Sequence, residues 1–218
     1  MYCTGPEYLH MNDTSLSDSL AASGIAFGRP GYGRCTEWSG AFVPGLSLII
    51  DEEGEAKTAL LRLLAGEQSP DTGSVRWRGV NVCYANPAQI FWRDPRAAWP
   101  ELTPDQWAAA QAARFPGWSV PDWERHVQGL ALQEHRGKEL FRLSTGGRRK
   151  VLLAAALASG AQLTLLDEPE AALDWASIRY LRQALAEQAR RSSETRRVWV
   201  VANYEPVADV PWEQVIRL

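Results

Sequence analysis

The sequence predicts an α/β fold built around a mostly parallel sheet, and three stretches carry that expectation. The first is AQLTLLDEPEAALD, Ala161 to Asp174, in which a short apolar run, Leu163 to Leu166, ends abruptly in Asp167 and Glu168. A buried parallel strand has this form when it delivers carboxylates to the C-terminal edge of a sheet. That edge is where open α/β sheets bind ligands. The second is the apolar run Leu46 to Ile50, followed by Lys57, Thr58 and an amphipathic helix end, LLRLLAG, that closes on Gly66. The third is Val198 to Ala202, whose β-branched content marks another buried strand. Taken alone, an apolar run followed by Asp-Glu is more often a strand that ends in a solvated acidic turn. The neighbouring sequence decides.

That neighbour is LSTGGRRKVLLAAALASG, Leu143 to Gly160, a Ser-Thr-Gly-Gly turn opening a long helix with a basic start. LSTGG, then LLDEP, then AALD resembles the signature motif, Walker B strand and D-loop of ATP-binding cassette proteins, over roughly Gly24 to Leu218. The resemblance implies a P-loop NTPase cassette with an N-terminal antiparallel β-subdomain, a mostly parallel core sheet and a helical subdomain inserted at about residues 94–160. Residues 1–22 mix Ser, Asp, Asn, Thr and Gly without periodicity and read as a flexible arm, which leaves 23–218 as a single nucleotide-binding domain.

A chain of 218 residues that is 45% apolar and 22% charged can bury one substantial core. Its net charge of -3 gives no overall pull toward nucleic acid. The basic spots Arg148, Arg149, Lys150 and Arg190, Arg191 read as solvated helix ends. With no apolar run near the eighteen or so residues of a membrane span, and no basic-then-apolar leader, the expected location is cytoplasmic, peripheral to the inner membrane through a partner. Cys3, Cys35 and Cys83 are widely spaced and read as packing residues. His10, His126 and His135 fit no ligand or triad spacing, and His126 and His135 read as surface residues of polar helices. Trp107, Trp118 and Trp123, in a helical stretch from Asp105 to about Leu140, point to core packing more than to ligand stacking.

The cassette resemblance requires a phosphate loop, G-x-x-x-x-G-K-[ST], whose glycines let backbone N–H groups close around phosphates. This chain has DEEGEAKT: Gly54, Lys57 and Thr58 are present, but Asp51 and Ala56 replace the two defining glycines. Lys57 supplies an amine for the β/γ-phosphates and Thr58 a hydroxyl for Mg²⁺. Four carboxylates, Asp51, Glu52, Glu53 and Glu55, lie in or beside the loop. Each like-charge contact at about 6 Å costs roughly 2 to 3 kcal/mol at an effective dielectric near 20. Either these side chains repel a triphosphate, or they face water and only backbone meets the ligand.

Other site positions follow from the family pattern. Asp167 would hold Mg²⁺, and Glu168 would orient or deprotonate the attacking water. The adenine-stacking aromatic falls on Phe27, with Tyr32 as second choice; Phe27 reads equally as a strand core residue. The family's Mg²⁺-ligating glutamine falls on Arg93, with Gln89 as fallback. Ser144 and Gly146 would meet a γ-phosphate presented by a second cassette, although Thr145 and Gly147 depart from the usual glycine and glutamine. Asn203 stands where the family has a histidine; it can donate a hydrogen bond but carries no proton.

The resemblance therefore implies an ATP-binding subunit of a transporter, with Mg-ATP as cofactor, a second cassette and a membrane-spanning subunit as partners, and no nucleic acid. In size it is nearest to the haem-exporter type. The substituted loop points to weak nucleotide binding and hydrolysis; a fully working ATPase subunit and a non-catalytic scaffold paired with a competent cassette are the rival readings.

Overall fold

The computed structural model describes residues 19–28, 34–52 and 56–218. Four strands form an antiparallel sheet in the order β2-β1-β4-β5: β1 (Leu20–Gly28), β2 (Arg34–Phe42), β4 (Thr72–Trp77) and β5 (Val80–Asn81). A second, wholly parallel sheet has the order β6-β7-β8-β3-β9. Its members are β3 (Gly45–Ile50), β6 (Ile90–Phe91), β7 (Leu163–Asp167), β8 (Val198–Asn203) and β9 (Gln214–Arg217). The helices are α1 (Lys57–Leu64), α2 (Pro104–Arg114), α3 (Val120–Gly129), α4 (Thr145–Ala158) and α5 (Trp175–Thr195). β1 begins at Leu20, which is fully buried, so the expected arm gives way to strand before residue 22.

The near-continuous apolar character of β3, β7 and β8 has a direct cause. All three strands are covered on both faces. Leu46, Leu48 and Ile50 of β3, Trp199 and Val201 of β8 and Leu166 of β7 enter one core, shared with α2 to α5. Ile49, Val198, Val200, Leu163 and Leu165 enter the other, shared with α1 and the antiparallel sheet. Fully burying such a side chain contributes about 1.5 to 3 kcal/mol, so a one-residue register slip in these strands would exchange the two faces of a large fraction of the core.

Helix starts follow the local chemistry. Thr103 and Gln106 form a capping box ahead of α2, the Ser119 hydroxyl accepts from the Asp122 N–H at α3, and Asp174 accepts from the Ser177 N–H at α5. Gly160, at φ 64°, lies where an added Cβ would come within 2.1 Å of the Gly117 carbonyl. The α2–α3 connection can therefore lie against the end of α4, where Ser119 N–H donates to Ala158 O at 2.9 Å. Among the described residues no helix is long and apolar enough to cross a membrane.

Two surface and packing expectations are corrected. Cys83 is exposed, not packed; the Cys35 side chain and Cys3 lie outside the described structure. His126 is 1% exposed, its Nδ1 is 2.9 Å from the Tyr180 hydroxyl, and its ring meets that tyrosine edge-on. The tryptophans behave as expected: Trp107 and Trp123 are buried, and Trp118 packs against Trp123 with ring centroids 5.8 Å apart.

Burial, with the neighbouring Arg125 charge adding to it, pushes the His126 pKa from 6.5 to about 4. Between those values the unfolded chain binds a proton at His126 that the folded protein does not. Stability from this group is therefore complete above about pH 6.5 and declines as the pH falls toward 4, by roughly 3 kcal/mol in all. Urea unfolding of the unaltered chain and of His126→Gln between pH 7 and pH 4 is expected to show the variant's stability falling less over that range by about this amount.

Candidate functional site

The parallel register places the site. Ile50 of β3 pairs with Asn203 of β8, and Asp167 of β7 pairs with Ala202. Each pairing runs one residue further, because Asp51 N–H donates to Asn203 O at 3.1 Å and Glu168 N–H to Ala202 O at 2.8 Å. The residues after β3, β7 and β8 thus emerge side by side at one edge. β8 lies between β3 and β7, so Asp167 and the helix opened by Lys57 follow strands that are one apart in the sheet.

At this edge the phosphate-loop and acidic residues meet. Thr58 Oγ1 donates to Asp167 Oδ2 at 2.6 Å, and Lys57 Nζ lies 2.9 Å from Glu168 Oε1. The Lys57 ammonium also sits 3.2 Å from the centroid of the Tyr204 ring, a cation–π contact. These groups, with Pro95, Arg96 and Arg149, line a cavity of about 200 Å³. Arg149 Nη1 donates to Asp167 O at 2.6 Å and Glu168 O at 2.7 Å. Glu168 takes a φ of 45°, a left-handed conformation that is strained for a non-glycine residue.

The electrostatics follow from burial. Lys57 is 1% exposed. Burial alone would lower its pKa, but the Glu168 carboxylate and Tyr204 more than offset that and hold it above the ordinary lysine value. Burial raises Asp167 above the usual carboxylate range, and the Thr58 hydrogen bond offsets part of this. Burial lowers the Arg149 pKa. Asp167 Oδ1 is buried without a hydrogen-bond partner among the described residues.

Asp51 takes neither course the sequence left open. Its carboxylate turns inward, 4% exposed, and Oδ2 accepts from Ala56 N–H at 2.8 Å and Lys57 N–H at 3.0 Å. Glu52 faces solvent and meets Arg217 at 2.9 Å. Glu53, Gly54 and Glu55 lie outside the described residues, as does Tyr32.

Several expected site residues stand elsewhere. Phe27 is 8% exposed and belongs to the core under the antiparallel sheet, so the core reading holds and no ring face is left for adenine. Arg93 is not among the residues lining the Lys57 cavity: it donates to Ala97 O and Ala98 O and stacks over Trp99 at 4.1 Å. Gln89 accepts from Trp77 Nε1. Asn203 Nδ2 donates to Glu205 O, closing the turn after β8, and it is the next residue, Tyr204, that swings over Lys57. Ser144 caps α4 by accepting from Gly147 N–H at 3.0 Å. Gly146 packs so near the D-loop that an added Cβ would meet Ala172 O at 2.3 Å. Neither lines the Lys57 cavity.

Arg149 and Tyr204 were missed by sequence reasoning, which placed Arg149 in solvent. A signal existed for Arg149: three consecutive cations within the first two turns of a helix oppose its dipole unless acids or carbonyls hold them. All three are held, Arg148 by Leu143 O, Arg149 by the two carbonyls above, Lys150 by Asp174 at 2.6 Å.

The family described as ABC transporter matches residues 46–171, a span that contains Lys57, Thr58, the LSTGG turn and the Asp167-Glu168 pair. This chain is an ABC transporter cassette. Relatives of the ATP-binding cassette include the cytochrome c biogenesis ATP-binding export protein CcmA of Cupriavidus necator, 33% identical over 162 residues that make up 71% of this chain and 71% of that one. The taurine import ATP-binding protein TauB of Chromobacterium violaceum is 37% identical over 140 residues, 60% of this chain and 52% of its own. In fold, a putative ABC transporter ATP-binding protein from Pyrococcus furiosus superposes with a TM-score of 0.70 at 19% identity, over 90% of this chain and 96% of that one.

The cassette's Thr58–Asp167 bond yields a stability test. Thr58→Val keeps the shape but removes the donor, leaving both oxygens of a buried carboxylate bare, at an expected cost of about 1 to 3 kcal/mol. Adding Asp167→Asn removes the uncompensated charge and is expected to recover part of the loss, read as denaturation midpoints of the single and double variants.

Proposed function

We propose that this cassette serves an ABC-type exporter beside a second cassette and a membrane-spanning subunit, and that its own Mg-ATP binding and hydrolysis are weak. The observation that carries the reading is the state of the phosphate groups' natural partners. Lys57 is paired with Glu168, Thr58 with Asp167, and the first N–H groups of α1 with Asp51. The export direction rests on the resemblance to the cytochrome c biogenesis export proteins. A surface attachment to the membrane through the partner accords with the helices described above.

The residues fit one half of a Mg-nucleotide better than the other. Thr58 Oγ1 and the unpartnered Asp167 Oδ1 are hard oxygen donors suited to Mg²⁺. Held there by Thr58 and Asp167, Mg²⁺ would supply charge neutralisation for a phosphoryl group. The phosphate half fits poorly, because Ala56 carries a methyl group where backbone must approach phosphate and Asp51 holds the N–H donors. Glu168 could act as base only after release from Lys57, and Asn203 adds no proton donor or acceptor of histidine's kind. The intact Asp167-Glu168 pair favours the rival reading, a working ATPase subunit.

Calorimetry with Mg-ATP at moderate salt separates the two. The unaltered chain is expected to bind far more weakly than the loop-restored variant Asp51→Gly, Glu55→Gly, Ala56→Gly, which should gain at least tenfold, about 1.4 kcal/mol. Hydrolysis by that variant should remain poor, since Arg93 and Asn203 are unchanged. Tight binding by the unaltered chain would establish the working ATPase instead.

A further inference from the structure

We infer that Asp51 is an intramolecular stand-in for phosphate: its carboxylate occupies the anion position of the cassette, so the site is kept closed by occupation and not by repulsion. The inference rests on the weak-binding reading above and supplies its cause. The geometry differs from an ordinary helix cap. A capping side chain accepts from N–H groups two or three residues further on, whereas Asp51 Oδ2 reaches across the loop to residues five and six positions later. Ala56, which stands at the cap position of α1, has no capping side-chain bond of its own. The two N–H groups that Asp51 takes open α1, where backbone donors and the helix dipole favour an anion.

The rest of the anion site is closed in the same manner. A phosphate in this cradle would draw on Lys57, but the ammonium is committed to Glu168 and covered by Tyr204. Two carboxylates, Asp51 and Glu168, thus take the donors that a phosphate would use. The ligand class that competes with Asp51 is a phosphoryl anion, and the competitor can be as simple as inorganic pyrophosphate. Removing the Asp51 carboxylate should convert a filled site into an open one.

The full-length chain and its Asp51→Ala and Asp51→Gly variants would be titrated with magnesium-free pyrophosphate, followed by calorimetry and by thermal unfolding. The unaltered chain is expected to show no shift of its unfolding temperature with pyrophosphate. The variants should unfold at lower temperature without it, recover on its addition, and bind it at least tenfold more tightly than the unaltered chain. Folded variants that bind pyrophosphate no better would overturn the inference while leaving weak Mg-ATP binding intact; tight Mg-ATP binding by the unaltered chain would instead overturn the functional reading. Hydrogen exchange on the unaltered chain gives an answer even if both variants fail to fold. The Ala56 and Lys57 amides should be protected in phosphate-free buffer, and rapid exchange at both would sink the idea.

Discussion

Charge balance at the C-terminal edge of the parallel sheet governs this cassette. The parallel pairing of β7, β8 and β3 fixes where Asp51, Lys57, Asp167 and Glu168 emerge: Glu168 meets the Lys57 ammonium, Asp51 the Lys57 backbone N–H and Asp167 the neighbouring Thr58 hydroxyl. Unpaired buried charge costs several kcal/mol per ion even after relaxation. The edge is tolerable because each carboxylate has a donor: Asp51 the start of α1, Asp167 the Thr58 hydroxyl, Glu168 the Lys57 ammonium. Arg149 adds a cation over the carbonyls of Asp167 and Glu168, which holds the strained Glu168 backbone in place. Any incoming anion must therefore exchange bonds with groups already bonded, which is a harder task than displacing water.

The sheet was legible because its cause is simple. Strands covered on both faces are apolar at nearly every position, and Leu46 to Ile50, Leu163 to Leu166 and Val198 to Ala202 fit that with no help from distant sequence, Ser47 and Thr164 being the buried polar exceptions. The meeting of Lys57, Thr58, Asp167 and Glu168 was also legible, since strand ends and motif spacing place them. What escaped is the direction of side chains on loops. The charge of Asp51 announced that the loop had changed, but whether the carboxylate faced ligand, water or its own backbone depends on loop dihedrals that no periodicity encodes. His126 escaped for a different reason: its partner, Tyr180, lies 54 residues away on another helix, so a polar surface pattern concealed a buried contact.

The start of α4 shows how the site is tied to the rest of the cassette. Its first two turns touch three separate segments: Gly146 lies against Ala172 of the D-loop, Arg149 binds the Asp167 and Glu168 carbonyls at the end of β7, and Lys150 pairs with Asp174 at the head of α5. Asp174 is held well below the usual carboxylate range by Lys150 and by the Ser177 N–H, so its carboxylate stays ionised across the ordinary pH range. The LSTGG turn, the D-loop and the Asp167-Glu168 segment are thereby mechanically contiguous. A second cassette docking on Ser144 would press on the same turn that carries Arg149.

Lys57 and Glu168 link binding to chemistry. While the carboxylate is 2.9 Å from the ammonium it is poorly placed to take a proton from water, because its oxygen is already engaged by Lys57. A phosphate that claimed Lys57 would release Glu168 to act as base, so in this geometry occupancy of the cradle precedes catalytic competence. Asp51 stands at the first of those two steps. With the α1 N–H groups already bonded to a carboxylate, the phosphate that would free Glu168 has lost its anchoring donors, and the ion pair persists. On the proposal made above, the intact acidic pair and the altered loop, which point to opposite functions when taken one at a time, are compatible: Asp167 and Glu168 remain, and the Asp51 carboxylate stands on the N–H groups that a phosphate would need first.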